Sequence, residues 1–348
     1  MRKSGGGAVV LRRTCCAAIA IGLAGSVWAQ QLPRSVTVGS NPPGTTIYTA
    51  ASAIAKVVTD TTGIQMAVQP YSGATTYFPI LDSGELDFGF VSSVDSLMSY
   101  QGPARAKPGA KNPYPHTPKF RLAMRGAPIL VGILARKDSP IKTIQDVKGK
   151  RVTGEFPAQL NNANLIFGHL AGAGLGWDDV RIVPVPAANE SVDAVVQGRA
   201  DVGLHSINSA KVREANAAVG IRHISADCSP DGERRLRSAV PGLFPRWVKA
   251  GQAVGIEQDT CVIAFDFYLA THRDSPEPLV TAVVKAIWDN VDKLPQAHAF
   301  FKEWTRDRAV SPDVTIPYHP AAIKFYKEHG AWKPEMDQVQ QKLLALNP

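Results

Sequence analysis

Along this chain, short apolar runs alternate with segments whose apolar positions recur every third or fourth residue. That is the signature of strands exchanging with amphipathic helices. Residues 35–39 predict a first strand, and a turn of breakers and hydroxyls follows at 40–46. Ile47, Ala51, Ile54 and Val58 then share one helical face. A second strand at 65–70 leads through Tyr71-Ser-Gly-Ala-Thr75 into a helix carrying Phe78 and Leu81, with Gly84 where a C-cap belongs. A third strand, 86–91, ends in Ser92-Ser93 before another short helix. Further on, the pattern predicts strands at 130–135, 151–153, 181–185, 200–204 and 261–269. Helices are expected at 144–150, 160–173, 191–197, 206–218, 279–291, 296–304 and 320–329. Residues 102–118 read as an exposed loop, and 232–251 as a basic, turn-rich segment. The expected fold class is α/β with crossover connections.

The two halves of the chain echo each other. Ser83-Gly-Glu-Leu-Asp-Phe-Gly89 is matched by Gln197-Gly-Arg-Ala-Asp-Val-Gly203, a helix ending in Gly before an acidic-tipped strand. A length of 348 residues also suits two lobes with separate cores better than one small domain. The strands near Leu130 and Cys261 would be the crossovers between them, giving one lobe from 30–130 plus 266–348 and another from 131–265.

Composition narrows the class. With 45% hydrophobic and 20% charged residues, disorder is excluded. No stretch beyond the N-terminus stays apolar long enough to span a bilayer, which predicts a soluble mature protein. The first 29 residues have the anatomy of a secretory signal: Arg2, Lys3, Arg12 and Arg13, an apolar run from Cys15 to Ala24, and a small-x-small site ending at Ala29. A short membrane anchor is the alternative. Cleavage near Ala29 would remove four basic residues and leave +4 of the formal +8 charge. No basic cluster interleaved with aromatics points to nucleic acid. Export leaves Cys228 and Cys261, an even number in an oxidising compartment, which reads either as one disulfide or as two buried thiols.

Three loops in the first lobe share one chemistry, each following a strand and opening a helix: Gly44-Thr45-Thr46, Ser72-Gly73-Ala74-Thr75 and Ser92-Ser93. Carboxyl ends of strands face the crevice of an open α/β sheet, and helix N-termini attract anions there. Simple N-capping explains any one loop better than ligand binding does, but three in a row point to a site. Ser40 and Tyr48 flank the first loop; Arg125 follows an expected fourth strand, where it is either a ligand's bidentate partner or a solvated charge. Gln159, Asn161 and His205 are the second lobe's candidates. No nucleophile elbow, Walker loop or zinc-protease motif occurs, and the His residues lack metal-ligand spacing, so neither enzyme activity, cofactor nor metal is expected.

Several motifs are similar to those of the TAXI-type solute-binding subunits of tripartite ATP-independent periplasmic (TRAP) transporters. They are Thr37-Val-Gly-Ser-Asn-Pro-Pro-Gly-Thr-Thr-Ile-Tyr48, Ser72-Gly-Ala74, Leu81-Asp-Ser-Gly-Glu-Leu-Asp-Phe-Gly-Phe-Val91, Ile141–Val152 and Pro317–Gly330. The resemblance implies a two-lobed, type II Venus-flytrap protein, each lobe a mixed sheet flanked by helices, with two crossover hinge strands. It implies a monomeric periplasmic receptor that delivers a small carboxylate, a dicarboxylate or acidic amino acid, to a TRAP membrane permease. An importer of the ABC or tricarboxylate type, or a secreted surface antigen, is the alternative. The chain departs from the family pattern at Ala74-Thr-Thr-Tyr77 and Phe156-Pro-Ala-Gln-Leu-Asn161, so the ligand is less determined than the role.

Overall fold

A computed structural model describes residues 5–6, 32–102, 112 and 114–347. The expected signal at 1–29 and most of the expected loop at 102–118 therefore lie outside the described residues. Leu32–Pro348 forms one compact unit.

The chain opens with strand β1 (Ser35–Ser40), helix α1 (Thr46–Thr62), β2 (Gln65–Pro70), α2 (Ala74–Ser83), β3 (Phe88–Ser92) and α3 (Ser93–Gln101). Two of the three hydroxyl loops cap their helices: Thr45 Oγ1 accepts from the Tyr48 amide, and Ser92 Oγ from the Asp95 amide, whereas α2 starts at Gly73 with no side-chain cap. Gly84 caps α2 with φ of 84°, a left-handed conformation that costs a glycine little. β1 pairs in parallel with β2 and β3, as crossover helices require.

Two long strands then organise everything else. β4 (Phe120–Arg136) and β10 (Thr260–His272) run antiparallel along their length. The C-terminal part of β10 pairs with β3, and its N-terminal part with β9 (Phe244–Val248). The C-terminal part of β4 pairs with β7 (Gly203–Ser206) and β8 (Ile221–Ile224). Thus one sheet, ordered β2-β1-β3-β10-β4-β7, passes through both halves of the molecule. At its middle the register slips: Asp266 faces Pro128 but Tyr268 faces Arg125, so Gly126 and Ala127 bulge opposite Phe267. Gly126 is required there, since a Cβ would collide with the Trp304 ring.

The second half adds β5 (Arg151–Gly154) and β6 (Arg181–Pro184), paired in parallel, with α4 (Asn161–Gly172), α5 (Ala188–Val196) and α6 (Ala210–Val219). The segment expected to be turn-rich instead contains α7 (Pro230–Ala239), whose N-cap Ser229 accepts from the Gly232 amide, and the edge strand β9. Helices α8 (Glu277–Asn290), α9 (Pro320–Glu328) and α10 (Glu335–Leu344) close the chain. Residues 299–303, expected to be helical, form only a tight 3-10 turn. At the described edge of the expected exposed loop, Tyr114 and Thr117 are buried. Cys228 and Cys261 form a disulfide, with Cα atoms 6.1 Å apart. No helix among the described residues is long and apolar enough to cross a membrane.

Candidate functional site

The carboxyl ends of β1, β2 and β3 point their following loops at the loops after β5, β6 and β7. The two sets touch. Thr46 Oγ1 lies 2.8 Å from Ser206 Oγ. Gln159 Nε2 donates to the Ser72 carbonyl at 3.3 Å, and Thr75 Oγ1 donates to the Ala158 carbonyl at 3.3 Å. Asn161 Nδ2 reaches Ser92 Oγ at 3.4 Å, and Asn189 Nδ2 donates to the Pro43 carbonyl at 3.2 Å. Gly73 is the point of nearest backbone approach: a Cβ there would overlap the Ala158 carbonyl. Its φ of 170° is ordinary extended backbone, so the requirement for glycine is steric and not conformational.

Between these rims lies a cavity with about 400 Å³ of empty space, part of it open to solvent. Thr45, Thr46, Gln159 and His205 line it, as expected from sequence. Ile129, Val131 and Phe265 of the two long strands form an apolar side, joined by Ile47, Leu165 and Leu204. Asn41, Asn162, Ala188 and Ser206 complete the wall. Among the described residues, no charged side chain lines it. The N-termini of α1, α4 and α5 lie at or beside this space with the positive ends of their helix dipoles. Of their first amides, Tyr48 donates to Thr45 Oγ1, Asn162 to the Gln159 carbonyl and Ala188 to Gln159 Oε1.

The other expected residues have definite places. Ser40, Ser93 and Asn161 are buried, and Ser40 Oγ, Ser93 Oγ and Asn161 Oδ1 have no hydrogen-bond partner. Gly44, at φ of 89°, lies beside the Asn189 amide. Tyr48 contributes its amide to the Thr45 cap. Ser72 is exposed, its hydroxyl 2.8 Å from Thr76 Oγ1, and Ala74 is buried. Arg125 differs from the expected ligand partner. Its fork donates twice to Asp266 Oδ2, at 3.0 and 2.8 Å, while Arg308 takes Asp266 Oδ1 at 2.8 Å. The reason is the sheet register: Arg125 sits inside β4 at the central bulge, not after a strand end.

Two titratable groups stand out. Asp95 is buried in the first turn of α3. Its Oδ2 accepts from Ser92 Oγ at 2.7 Å, and its Oδ1 from the Tyr114 hydroxyl. Burial raises its pKa to about 6 despite these two bonds. His205 is lowered to about 4 by burial, so it is neutral at pH 7. Among the described residues, no group of three His, Cys, Asp or Glu could hold a metal ion.

A sheet shared by two halves, with strand ends facing each other across a cavity, is the fold of the periplasmic binding proteins. The chain belongs to the NMT1-like family, whose model matches residues 38–330. Among solved structures it is similar to PhnD1 from Prochlorococcus marinus in complex with methylphosphonate, at 10% identity and a TM-score of 0.54, covering 86% of this chain and 100% of that one. It is also similar to a structure described as a periplasmic transporter, at 13% identity and a TM-score of 0.53, covering 90% and 97%. The alkanesulfonate-binding protein SsuA from Xanthomonas axonopodis pv. citri, bound to MOPS, matches at 16% identity and a TM-score of 0.45, covering 91% and 86%. At these identities the likeness is one of fold.

The cavity residues missed from the sequence are mostly apolar, and three of them, Ile129, Val131 and Phe265, lie on β4 and β10. Nothing local distinguishes Ile129 or Phe265 from any core residue; only their place on the two shared strands does.

Proposed function

We propose that this protein is an extracytoplasmic receptor that captures a small organic anion between two lobes and passes it to a membrane importer. The observation that carries this reading is the uncharged cavity, partly open to solvent, where helix N-termini from both halves meet. Such termini supply oriented N–H donors for an anion without a cationic side chain. The proposed lobes are 30–130 with 266–348, and 131–265, and β4 and β10 are the hinge strands. Export by the signal at 1–29 would place the receptor in the periplasm, acting as a monomer with no catalytic role.

The ligand we favour is a monoanion with a compact apolar body. A dicarboxylate or acidic amino acid brings two carboxylates to a space without Arg or Lys, and Arg125 is already paired with Asp266. As membrane partner, an ABC-type importer is preferred to a TRAP permease. The family match stands at the broader NMT1-like level. A thermal-shift screen of the mature chain against phosphonates, sulfonates, monocarboxylates and dicarboxylates tests the reading. A monoanion that raises the melting temperature in proportion to its concentration is the expected result. Stabilisation by dicarboxylates alone would restore the TRAP-type alternative, and no response to any anion would overturn the receptor reading.

A further inference from the structure

Ser92 lies where the two rims touch, and its hydroxyl joins that contact to a buried acid. A hydroxyl oxygen offers one hydrogen and two lone pairs. The Asp95 amide donates to one lone pair at 2.9 Å, and Asn161 Nδ2, from the opposite rim, reaches the other at 3.4 Å. The hydrogen is left for Asp95 Oδ2, 2.7 Å away. Asp95 Oδ1 receives the Tyr114 hydroxyl. All four bonds form together only when the carboxyl group holds no proton. A proton on Oδ2 would need the lone pair that Asn161 occupies. A proton on Oδ1 would turn the Tyr114 hydrogen away from its acceptor, in a side chain 1% exposed. Reversing the Asn161 amide is no remedy, since two N–H donors would be left buried where now only Oδ1 lacks a partner.

Resting on the receptor reading above, we propose that Ser92 and Asn161 couple closure of the rims to Asp95: the closed form takes the carboxylate, and a proton on Asp95 loosens it. By linkage, a ligand that closes the rims drives that proton off. The groups facing Asp95 are Ser92 on β3, Tyr114 ahead of β4, and Tyr77 of α2, whose own hydroxyl donates to the Phe90 carbonyl. Among the described residues no cation acts on it, and burial raises its pKa to about 6. The coupling therefore operates between mildly acidic and neutral pH. Direct repulsion between this carboxylate and an anionic ligand has the opposite sign, weakening binding as pH rises.

Calorimetry of the mature chain with methanesulfonate, whose single charge is constant between about pH 5 and 8, tests the coupling. Binding is expected to strengthen about three- to tenfold across that range, the effect of regaining one hydrogen bond at the rims. Asp95→Asn cannot accept at both positions and should bind at the weaker level throughout. Asn161→Ala frees the lone pair for either form of Asp95, so its profile should also be flat. A flat or falling profile in the wild type, or a rise that survives in either variant, overturns the inference and leaves the receptor reading in place. Either variant suffices should the other fail to fold. If methanesulfonate does not bind, X-ray scattering of the ligand-free protein decides. A smaller radius at neutral pH than at about pH 5, absent in Asp95→Asn, is expected, and equal radii overturn the coupling. Silence of the whole anion screen overturns the receptor reading instead.

Discussion

Asp95 illustrates how a single side chain can carry a pH dependence of its own. Its neighbours are Ser92 and Tyr114, with the Tyr77 hydroxyl nearby, and among the described residues no cation compensates its charge. The folded-state pKa of about 6 lies above the ordinary aspartate value of 3.8. The stability this group contributes is therefore present below the unfolded value and is lost as pH rises through about 6. Histidines 169, 205 and 223, each held near pKa 4 by burial, act the opposite way and destabilise the fold on acidification. A difference measurement separates the two. Asp95→Asn, a mimic of the neutral acid, is expected to exceed wild type in stability at neutral pH, by a margin on the order of 1–3 kcal/mol. The margin should vanish by about pH 4 in paired urea titrations. An equal margin at both pH values would place the effect outside Asp95 ionisation.

At the scale of elements, the proposed closure would bring two loops together at Gly73 and Ala158. Gly73→Val is expected to keep the melting temperature of the free protein within a few degrees, yet to weaken ligand binding by tenfold or more, since the rims can no longer meet. Unchanged affinity in that variant would mean that binding does not need this contact. The disulfide is a second elemental device, tying the approach to α7 to the start of β10 across a sequence separation of 33. Its loss is expected to cost about 3–4 kcal/mol by chain entropy, read from urea unfolding of Cys228→Ser/Cys261→Ser. The alternation of strands and helices in the first half was legible because each element carries its own period and cap, as at Thr45, Gly84 and Ser92. β9 and α7 were not, because Phe244-Pro-Arg-Trp-Val248 has no alternation of its own and is a strand only through β10. Of the candidate site, the hydroxyl loops and His205 were visible as chemistry on strand ends. The role of Arg125 was not, since a bulge between distant strands decides what its fork can reach.

For the whole molecule, the proposed hinge would lie where Arg125, Arg308 and Asp266 sit beside the central bulge. Two strands cross there, so the halves can bend about one axis while twist is resisted. X-ray scattering of the free protein is expected to give a larger radius than the closed structure, contracting when the most stabilising anion of the screen is added. Scattering unaffected by saturating ligand would count against bending. The shared sheet has one more consequence, for dissection. β4 and β10 contribute to both halves, so neither half is a separable module. A chain divided in the tight turn at 148–150 would give one fragment holding β4 and another holding β10. Each would display a long unpaired edge shaped for the other. Such fragments should be poorly ordered alone and regain the cavity on mixing, which would make this scaffold suited to split-protein reporters whose reassembly a small anion controls.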